Sequence, residues 1–185
     1  METITSRNPA TGTPLTRLDQ TPLEAIPGMV VRARAAQQAW ALVRPKDRIK
    51  YFINAREHLL DNVDTLAELI CQENGKPRFE AIVNDILPAM DLLSQYAKRA
   101  PKLLRDRPIS MHLMKHRKSS LNFWPKGVIA ILSPWNYPFS IPFGEITLGL
   151  LSGNAVIFKP SEVTPLIGLK IAEIFEQACL PKDLL

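Results

Sequence analysis

Two short polar segments each follow an apolar run and contain residue types that could do chemistry. Residues 133–138, with the sequence SPWNYP, follow the run 128–132, and residues 159–162, with the sequence KPSE, end the run 155–159. If the runs are strands of an open α/β sheet, ligands bind beyond their carboxyl ends. We refer to 133–138 as the first corner and to 159–162 as the second corner, and we treat both as candidate sites.

The second corner has an ammonium and a carboxylate three residues apart. Lys159 could donate to, and Glu162 accept from, the hydroxyls of one diol. An acidic residue that follows the second strand and binds a ribose hydroxyl is common in dinucleotide sites. The alternative is a solvated surface pair with no ligand, and the residue types alone favour that alternative.

The first corner offers one amide side chain, that of Asn136. Its N–H₂ group could stabilise a developing oxyanion. The alternative is that it hydrogen-bonds the backbone of a Pro-rich turn. No G-x-G-x-x-G sequence follows the first strand, so the usual dinucleotide fingerprint is missing at this position.

The elements that carry these corners alternate between strand and helix. We predict strands over 127–132 and 155–159, and helices over about 139–151 and 166–178. A β-α-β-α order implies parallel strands joined by a right-handed crossover, and the continuous apolar runs predict strands buried on both faces. We therefore expect the α/β fold class, with the first half of a doubly wound, Rossmann-like parallel sheet in an incomplete domain.

The preceding part of the chain is mostly helical. Residues 1–20 predict an extended arm with a turn, and apolar residues then recur at helical spacing as far as residue 96. Gly75, with Pro77 beyond it, predicts a helix end, and Pro88 predicts a kink or a division. Five aromatic residues at helical spacing are expected in the core: Trp40, Tyr51, Phe52, Phe79 and Tyr96.

Residues 101–126 predict a hairpin with a basic turn. Strands are expected over 109–114 and 118–124. Residues 99–118 hold seven basic residues against one acid, so the net charge of +5 is local to this segment. A nucleic-acid binder that uses this segment is an alternative function, but no recognition motif or aromatic stacking platform supports it. His112 and His116 have no third partner in the sequence, so no metal site is expected.

Composition limits the remaining classes. A hydrophobic fraction of 46% in 185 residues is ordinary for a globular chain, so disorder is not expected. The apolar runs are too short to span a bilayer, and the first residues lack a secretory pattern, so we expect a cytoplasmic protein. Cys71 and Cys179 are too few and too far apart for a disulfide framework, and we expect both to be small buried hydrophobes.

The combination of motifs resembles the NAD(P)-dependent aldehyde dehydrogenase superfamily. PWNYP at 134–138 is followed, after one helix, by GNAVIFKPSEVTP at 153–165. ENGKP at 73–77 resembles the stretch that ends a helix of the first domain in that family, and NPATG at 8–12 resembles its opening turn. The resemblance covers essentially the whole chain and is to the N-terminal, cofactor-binding portion of the family.

The resemblance implies roles for individual positions. Asn136 would supply the side-chain half of an oxyanion hole, and Lys159 and Glu162 would bind the adenosine ribose of the cofactor, with Ser161 nearby. The backbone lining the cofactor cleft would be that of Leu132, Ser133, Pro134 and Trp135. Because a carboxylate at position 162 repels a 2′-phosphate, NAD is expected in preference to NADP, although NADP remains possible.

The resemblance also implies an organisation and an activity. Residues 1–107 would be the helical part of the cofactor-binding domain, 108–126 an oligomerisation arm of a homo-oligomer, and 127–185 the truncated sheet. The parent enzyme would oxidise an aldehyde to a carboxylic acid. The family's nucleophilic cysteine and general-base glutamate lie further along the chain, so this chain alone is expected to be inactive. The alternative is a naturally short interaction module or pseudoenzyme subunit.

Overall fold

The computed structural model describes residues 2–113 and 116–185. The helices are α1 (Ile26–Leu42, after a 3₁₀ turn at Leu23–Ala25), α2 (Pro45–Asp61), α3 (Val63–Asn74), α4 (Arg78–Glu80, Ala81–Ile86 and Leu87–Leu103 in succession), α5 (Ser140–Leu151) and α6 (Pro165–Gln177). The strands are β1 (Thr3–Arg7), β2 (Pro14–Asp19), β3 (Arg107–Ile109), β4 (Ser119–Leu121), β5 (Val128–Leu132) and β6 (Ala155–Lys159). Among the described residues, no helix is both long and apolar enough to cross a membrane.

The N-terminal arm is an antiparallel hairpin. β1 pairs with β2 from Thr3 opposite Asp19 onward. Asn8 closes the turn, since its Oδ1 accepts hydrogen bonds from the backbone N–H groups of Ala10 (2.9 Å) and Thr11 (3.3 Å). The side chain of asparagine therefore replaces a backbone acceptor in a tight turn, and the predicted extended arm with a turn is confirmed.

Helix α3 ends where the sequence predicts. Gly75 follows its last residue in the left-handed conformation, with φ +83°. A Cβ atom at this position would lie 2.8 Å from Cγ of Pro9, so both the backbone angle and the contact with the arm require glycine. This helix end fixes the direction in which the segment 73–77 leaves α3.

Pro88 divides α4 as expected, through a π-helical segment. Pro88 lies in the first turn of the α-helical part Leu87–Leu103, and the π-helical turns Ala81–Ile86 precede it. Proline has no N–H group, and its ring crowds the carbonyl four residues earlier, so the regular hydrogen-bond ladder cannot continue through it. The π-helical turns accommodate this defect, and Asp85 lies within them.

The second hairpin is present with shorter strands than predicted. β3 and β4 pair antiparallel, with Arg107 opposite Leu121 and Ile109 opposite Ser119. The strands predicted over 109–114 and 118–124 therefore overlap the observed ones only in part. Met114 and Lys115, which belong to the predicted strand and turn, lie outside the described residues.

β5 and β6 form a parallel pair, joined through α5. Their register runs from Val128 opposite Ala155 to Leu132 opposite Lys159, which confirms the predicted β-α-β unit. The expectation that β5 is buried on both faces is wrong for this chain. Ile131 is its one buried residue and Leu132 is 73% exposed, because the described residues provide a single neighbouring strand and cover the pair only in part.

One apolar core joins the N-terminal helices to the β-α-β-α unit. Phe175 of α6 packs edge-on against Phe52 of α2, with ring centroids 6.2 Å apart, and stacks on Phe143 of α5 at 5.1 Å. Trp40 and Phe52 are buried as expected, and Tyr51 and Tyr96 are half-buried. The placement of Phe79 in the core is wrong: its side chain is 74% exposed, at the solvent side of the first turn of α4.

A buried arginine closes the C-terminal end of α5. Arg48 donates hydrogen bonds to the carbonyl oxygens of Leu151 (2.7 Å), Trp40 (3.3 Å) and Ala41 (3.1 Å). Burial lowers the pKa of this guanidinium, and the helix dipole and the three carbonyls offset the cost of burying it. The sequence does not predict this role, because the acceptor in α5, the carbonyl of Leu151, lies 103 residues from Arg48 in the chain, while the other two acceptors belong to the end of α1.

Candidate functional site

The two corners lie side by side at one edge of the parallel pair. Leu132 and Lys159 are the last register partners of β5 and β6, and the backbone N–H of Ser133 donates to the carbonyl of Lys159 at 3.2 Å. The first residue of one corner is therefore bonded to the first residue of the other. The structure brings together the two segments that the sequence analysis selected.

In the second corner, Lys159 and Glu162 point into solvent as a pair. Nζ of Lys159 lies 2.9 Å from Oε2 of Glu162, and the side chains are 61% and 66% exposed. The pKa of Glu162 lies below its ordinary value. The larger cause is a hydrogen bond from the backbone N–H of Glu162 itself, and the next is the hydrogen bond and charge of Lys159. An exposed ammonium and an exposed carboxylate this close are suited to a polyhydroxy ligand, and they equally fit the alternative of a surface pair.

Ser161 supports the second corner from inside. It is buried, and its Oγ accepts a hydrogen bond from the backbone N–H of Val163 at 3.2 Å. Close packing holds the same corner on α6, because a Cβ atom at Gly168 would lie 2.4 Å from Cβ of Pro160. The expected contact of Ser161 with the ribose stays a prediction, while its bond within the turn is visible.

In the first corner, the side chain of Asn136 is exposed and makes no hydrogen bond to any described residue. It therefore does not satisfy the turn backbone, which was the alternative for this residue. Both neighbours of Asn136 are held. The carbonyl of Trp135 accepts a hydrogen bond from Nδ2 of Asn74 at 2.8 Å, and Nζ of Lys76 lies 4.3 Å from the ring centroid of Tyr137.

A buried carboxylate from α4 caps the helix that follows the first corner. Oδ1 of Asp85 accepts hydrogen bonds from the backbone N–H groups of Phe139 (3.3 Å) and Ser140 (3.1 Å) and from the Ser140 hydroxyl (3.2 Å). Its Oδ2 lies 2.6 Å from Nζ of Lys76, and the Asp85 side chain has no exposed area. Asp85 thus does the work of an N-cap residue from more than fifty positions away.

Glu73 caps the helix that follows the second corner in the same way. Its carboxylate accepts hydrogen bonds from the backbone N–H groups of Leu166 (2.9 Å) and Ile167 (2.8 Å) and from the Ser6 hydroxyl (2.6 Å). Burial raises the pKa of Glu73, and the three hydrogen bonds oppose that rise without cancelling it. The residues 73–77, which we call the bracing segment, therefore contact the first corner and the start of the helix that follows the second corner.

Glu73 makes the stability of the chain depend on pH. Burial raises the pKa of Glu73 in the folded state above its pKa in the unfolded state. At pH values between these two pKa values, Glu73 is therefore protonated in the folded chain and ionised in the unfolded chain. The stability that Glu73 contributes should therefore be complete below the ordinary glutamate pKa and decline as pH rises through the folded pKa. Urea unfolding of wild type and Glu73→Gln between about pH 4 and pH 8 measures this.

The advantage of wild type over Glu73→Gln should shrink as pH rises and then level off. Glu68→Gln, an exposed position on the same helix whose carboxylate accepts from Gln72, is the matched control and should show no such trend. An advantage that grows with pH would mean that the hydrogen bonds outweigh burial and that the pKa is lowered.

The cysteines differ from each other. Cys71 is half-buried, and burial, followed by the nearby Glu68, raises the pKa of its thiol, which keeps it in the unreactive form. The expectation that Cys179 is buried is wrong. It is exposed with φ +60° at the end of α6, where its N–H bonds the carbonyl of Glu176 and the N–H of Leu180 bonds that of Phe175, the pattern of a Schellman turn.

Across residues 2–113 and 116–185, no group of three or more His, Cys, Asp or Glu side chains is placed to hold a metal ion. The site residues that sequence reasoning did not assign are Asn74, Lys76, Asp85 and Glu73. The sequence ENGKP was noted for its resemblance alone. A signal did exist for Asp85, which is an acid among the apolar positions of a helix interrupted by proline.

Comparison with known proteins agrees with this geometry. The chain is 36% identical over 186 aligned residues to a 4,4'-diapolycopene aldehyde oxidase of Methylomonas sp., an alignment that covers 100% of the chain and 35% of the relative. The fold superposes on an aldehyde dehydrogenase from Brucella melitensis biovar abortus with a TM-score of 0.93 and 25% identity, covering 100% of the chain and 38% of that structure. A NAD-dependent benzaldehyde dehydrogenase from Corynebacterium glutamicum gives a TM-score of 0.90 and 26% identity, with coverage of 99% and 39%.

The chain spans a little over a third of the length of these relatives. The family whose sequence pattern it matches, over residues 1–185, is described as the aldehyde dehydrogenase family. The resemblance noted from the motifs is thereby confirmed, together with the α/β, Rossmann-like fold class that it implied. This chain is a member of the aldehyde dehydrogenase family.

Proposed function

We propose that this chain forms the cofactor-binding part of an NAD(P)-dependent aldehyde dehydrogenase and supplies one donor of its oxyanion hole. The observation that carries the proposal is the pairing of Leu132 with Lys159 at the edge of the sheet. That pairing sets an exposed amide, on Asn136, and an exposed Lys159–Glu162 pair on two adjoining corners. Ligands of open α/β sheets bind at this edge.

The second corner suits the adenosine ribose. Lys159 donates and Glu162 accepts, so the pair can bond both hydroxyls of a cis-diol while keeping its own contact. Because the pKa of Glu162 is lowered, the group is a carboxylate at neutral pH and would repel a 2′-phosphate. These charges favour NAD over NADP. The backbone of Leu132, Ser133, Pro134 and Trp135 would line the remainder of the cleft; when bound there, the nicotinamide accepts a hydride from the substrate.

The first corner suits the carbonyl end of the substrate. An aldehyde attacked by a thiolate develops negative charge on its oxygen, and the N–H₂ of Asn136 would donate to that oxygen. Since the amide has no hydrogen bond to a described residue, no protein contact has to break before it does so. The chain's own contribution is then to orient the amide and to hold it next to the cofactor corner.

We further propose that the 185 residues alone do not oxidise aldehydes. Cys71 is held as a thiol by burial, and Cys179 lies in the turn after α6, away from the strand end where the corners begin. Covalent catalysis needs an activated thiolate beside the oxyanion donor. The second candidate is a short, non-catalytic subunit, and the exposed apolar side chains of Ile109, Leu121 and Trp124 in and after the β3–β4 hairpin support a docking or oligomerisation role for that arm.

The test is steady-state kinetics on the longest product of the gene that contains these residues, beside the 185-residue chain. Lys159→Met and Glu162→Gln should each raise the KM for NAD about five- to tenfold with kcat changed less than about twofold, because they remove binding that ground state and transition state share. Glu162→Gln should also lower the preference for NAD over NADP.

Lys170→Met and Glu173→Gln are the matched controls. This pair has the same three-residue spacing, with Nζ and Oε1 2.8 Å apart, but lies on α6 away from the corners. Both control variants should leave the KM for NAD unchanged. Equal effects in the two pairs, or none at Lys159 and Glu162, would show that the second corner is a surface pair.

A further inference from the structure

Asn136 stands between two residues that are anchored from the same place. The backbone carbonyl of Trp135 is bonded to Asn74, and the ring of Tyr137 lies under the ammonium of Lys76. Asn74 and Lys76 both belong to the bracing segment 73–77. The side chain between the two anchors is itself free of hydrogen bonds to the described residues, so the restraints on its position come from the backbone on either side, which sets the direction of its Cα–Cβ bond.

We propose that Asn74 is a positioning residue for Asn136, so that the end of α3 controls the orientation of the oxyanion donor; this inference rests on the proposed function. The hydrogen bond of 2.8 Å to Trp135 is the one side-chain bond from the described residues to the backbone of the first corner between residues 133 and 138. Trp135 is itself 56% exposed, so packing does little to fix that carbonyl.

The bracing segment is rigid enough for this task. Gly75, with its close contact to Pro9, fixes the direction of the chain after Asn74. Glu73 is locked by hydrogen bonds to α6, and Lys76 by its ion pair with the buried Asp85. Because Asn74 lies among these three restraints, we expect its side chain to keep one position. Asn74 can position Asn136 only from such a fixed place.

The predicted effect is on turnover. Misplacing a transition-state donor by about an ångström costs up to about a hundredfold in rate. Because Asn74→Ala loosens the corner without removing the amide, it should lower kcat about tenfold. The KM for NAD should change by a clearly smaller factor than kcat, since the backbone of Trp135 also lines the proposed cofactor cleft but Lys159 and Glu162 stand on the other corner.

A double-mutant cycle with Asn136→Ala tests the inference on the longest product of the gene that contains these residues. If Asn74 acts through Asn136, Asn74→Ala should have no further effect on kcat once Asn136 is alanine. The same tenfold loss in both backgrounds would overturn the inference and leave the proposed function intact. A wild-type kcat for Asn136→Ala alone would overturn the oxyanion assignment, and the inference with it.

Two further variants guard against a trivial loss of folding. Asn74→Asp keeps the shape of the side chain but has no N–H to donate when ionised. Like Asn74→Ala, it should therefore lower kcat about tenfold in the wild-type background and cause no further loss in the Asn136→Ala background. Asn62→Ala is the matched control, since Asn62 also donates from Nδ2 to a carbonyl, that of His58 at 2.8 Å, at the opposite end of α3. It should leave kcat unchanged, and a tenfold loss there would also overturn the inference.

Discussion

Asn136→Ala should lower kcat for aldehyde oxidation by about 10²- to 10³-fold in the longest gene product that contains this chain, the loss expected for one oxyanion donor. The reason is geometric. The amide is exposed in the first corner, which adjoins the second, and has no partner among the described residues, so it is available to donate to the proposed oxyanion. The interaction exists only once negative charge develops, and for that reason the KM for the aldehyde should change little.

The measurement is initial-rate formation of the reduced cofactor over a range of aldehyde and NAD concentrations. Asn84→Ala is the matched control, because Asn84 is likewise exposed and without a hydrogen bond to the described residues but lies on the π-helical part of α4. It should retain wild-type kcat. An Asn136→Ala variant whose kcat is unchanged and whose KM for NAD is raised would place the amide on the cofactor and refute its role at the oxyanion.

The helices and strands could be predicted because their signals are local. The end of α3 at Gly75 needs only the left-handed backbone that glycine supplies, and Pro88 disrupts α4 wherever the helix packs. β6 was predicted at its observed bounds, Ala155–Lys159, since a short apolar run between turn signals is diagnostic within a β-α-β pattern. The corners then follow from the ends of the strands.

The bonds that hold the corners could not be predicted, because they join residues far apart in the chain. Phe139 and Thr164 stand at the N-cap positions of α5 and α6, and neither side chain makes a capping bond. Asp85 and Glu73 cap these helices instead. Local rules look for the cap in the residue before the helix, whereas tertiary packing supplied a buried carboxylate from another helix.

The burial expectations for Phe79 and Cys179 are wrong for different reasons. Helical spacing places Phe79 on a face of α4 but does not say whether another element covers that face in the first turn. Cys179 was judged by residue type, while its left-handed backbone at the end of α6 turns it outward. Cys179 adopts the left-handed conformation that glycine usually supplies at a helix end, and a cysteine there does not signal that conformation in the sequence.

Asp85→Ala should reduce the free energy of unfolding by about 3–5 kcal/mol, the cost of removing one partner of a buried ion pair. The variant leaves Lys76, 15% exposed, beside a cavity, and it leaves two N–H groups at the start of α5 without an acceptor. The free energy of unfolding of Asp85→Asn should lie between those of Asp85→Ala and wild type. An amide oxygen can still accept hydrogen bonds from the N–H groups of α5, but the charge opposite Lys76 is lost.

Urea unfolding measures the total loss in the free energy of unfolding, and backbone hydrogen exchange shows which part of the chain is destabilised. In Asp85→Ala, the N–H groups of Phe139 and Ser140 should lose protection, while those of Leu166 and Ile167, which Glu73 holds, should keep it. Asp64→Ala is the control: its ion pair with Arg78 is also 2.6 Å long, but Asp64 is 86% exposed, so the loss should stay within about 1 kcal/mol. Equal losses at positions 64 and 85 would mean that burial and capping add nothing to the contribution of Asp85 to stability.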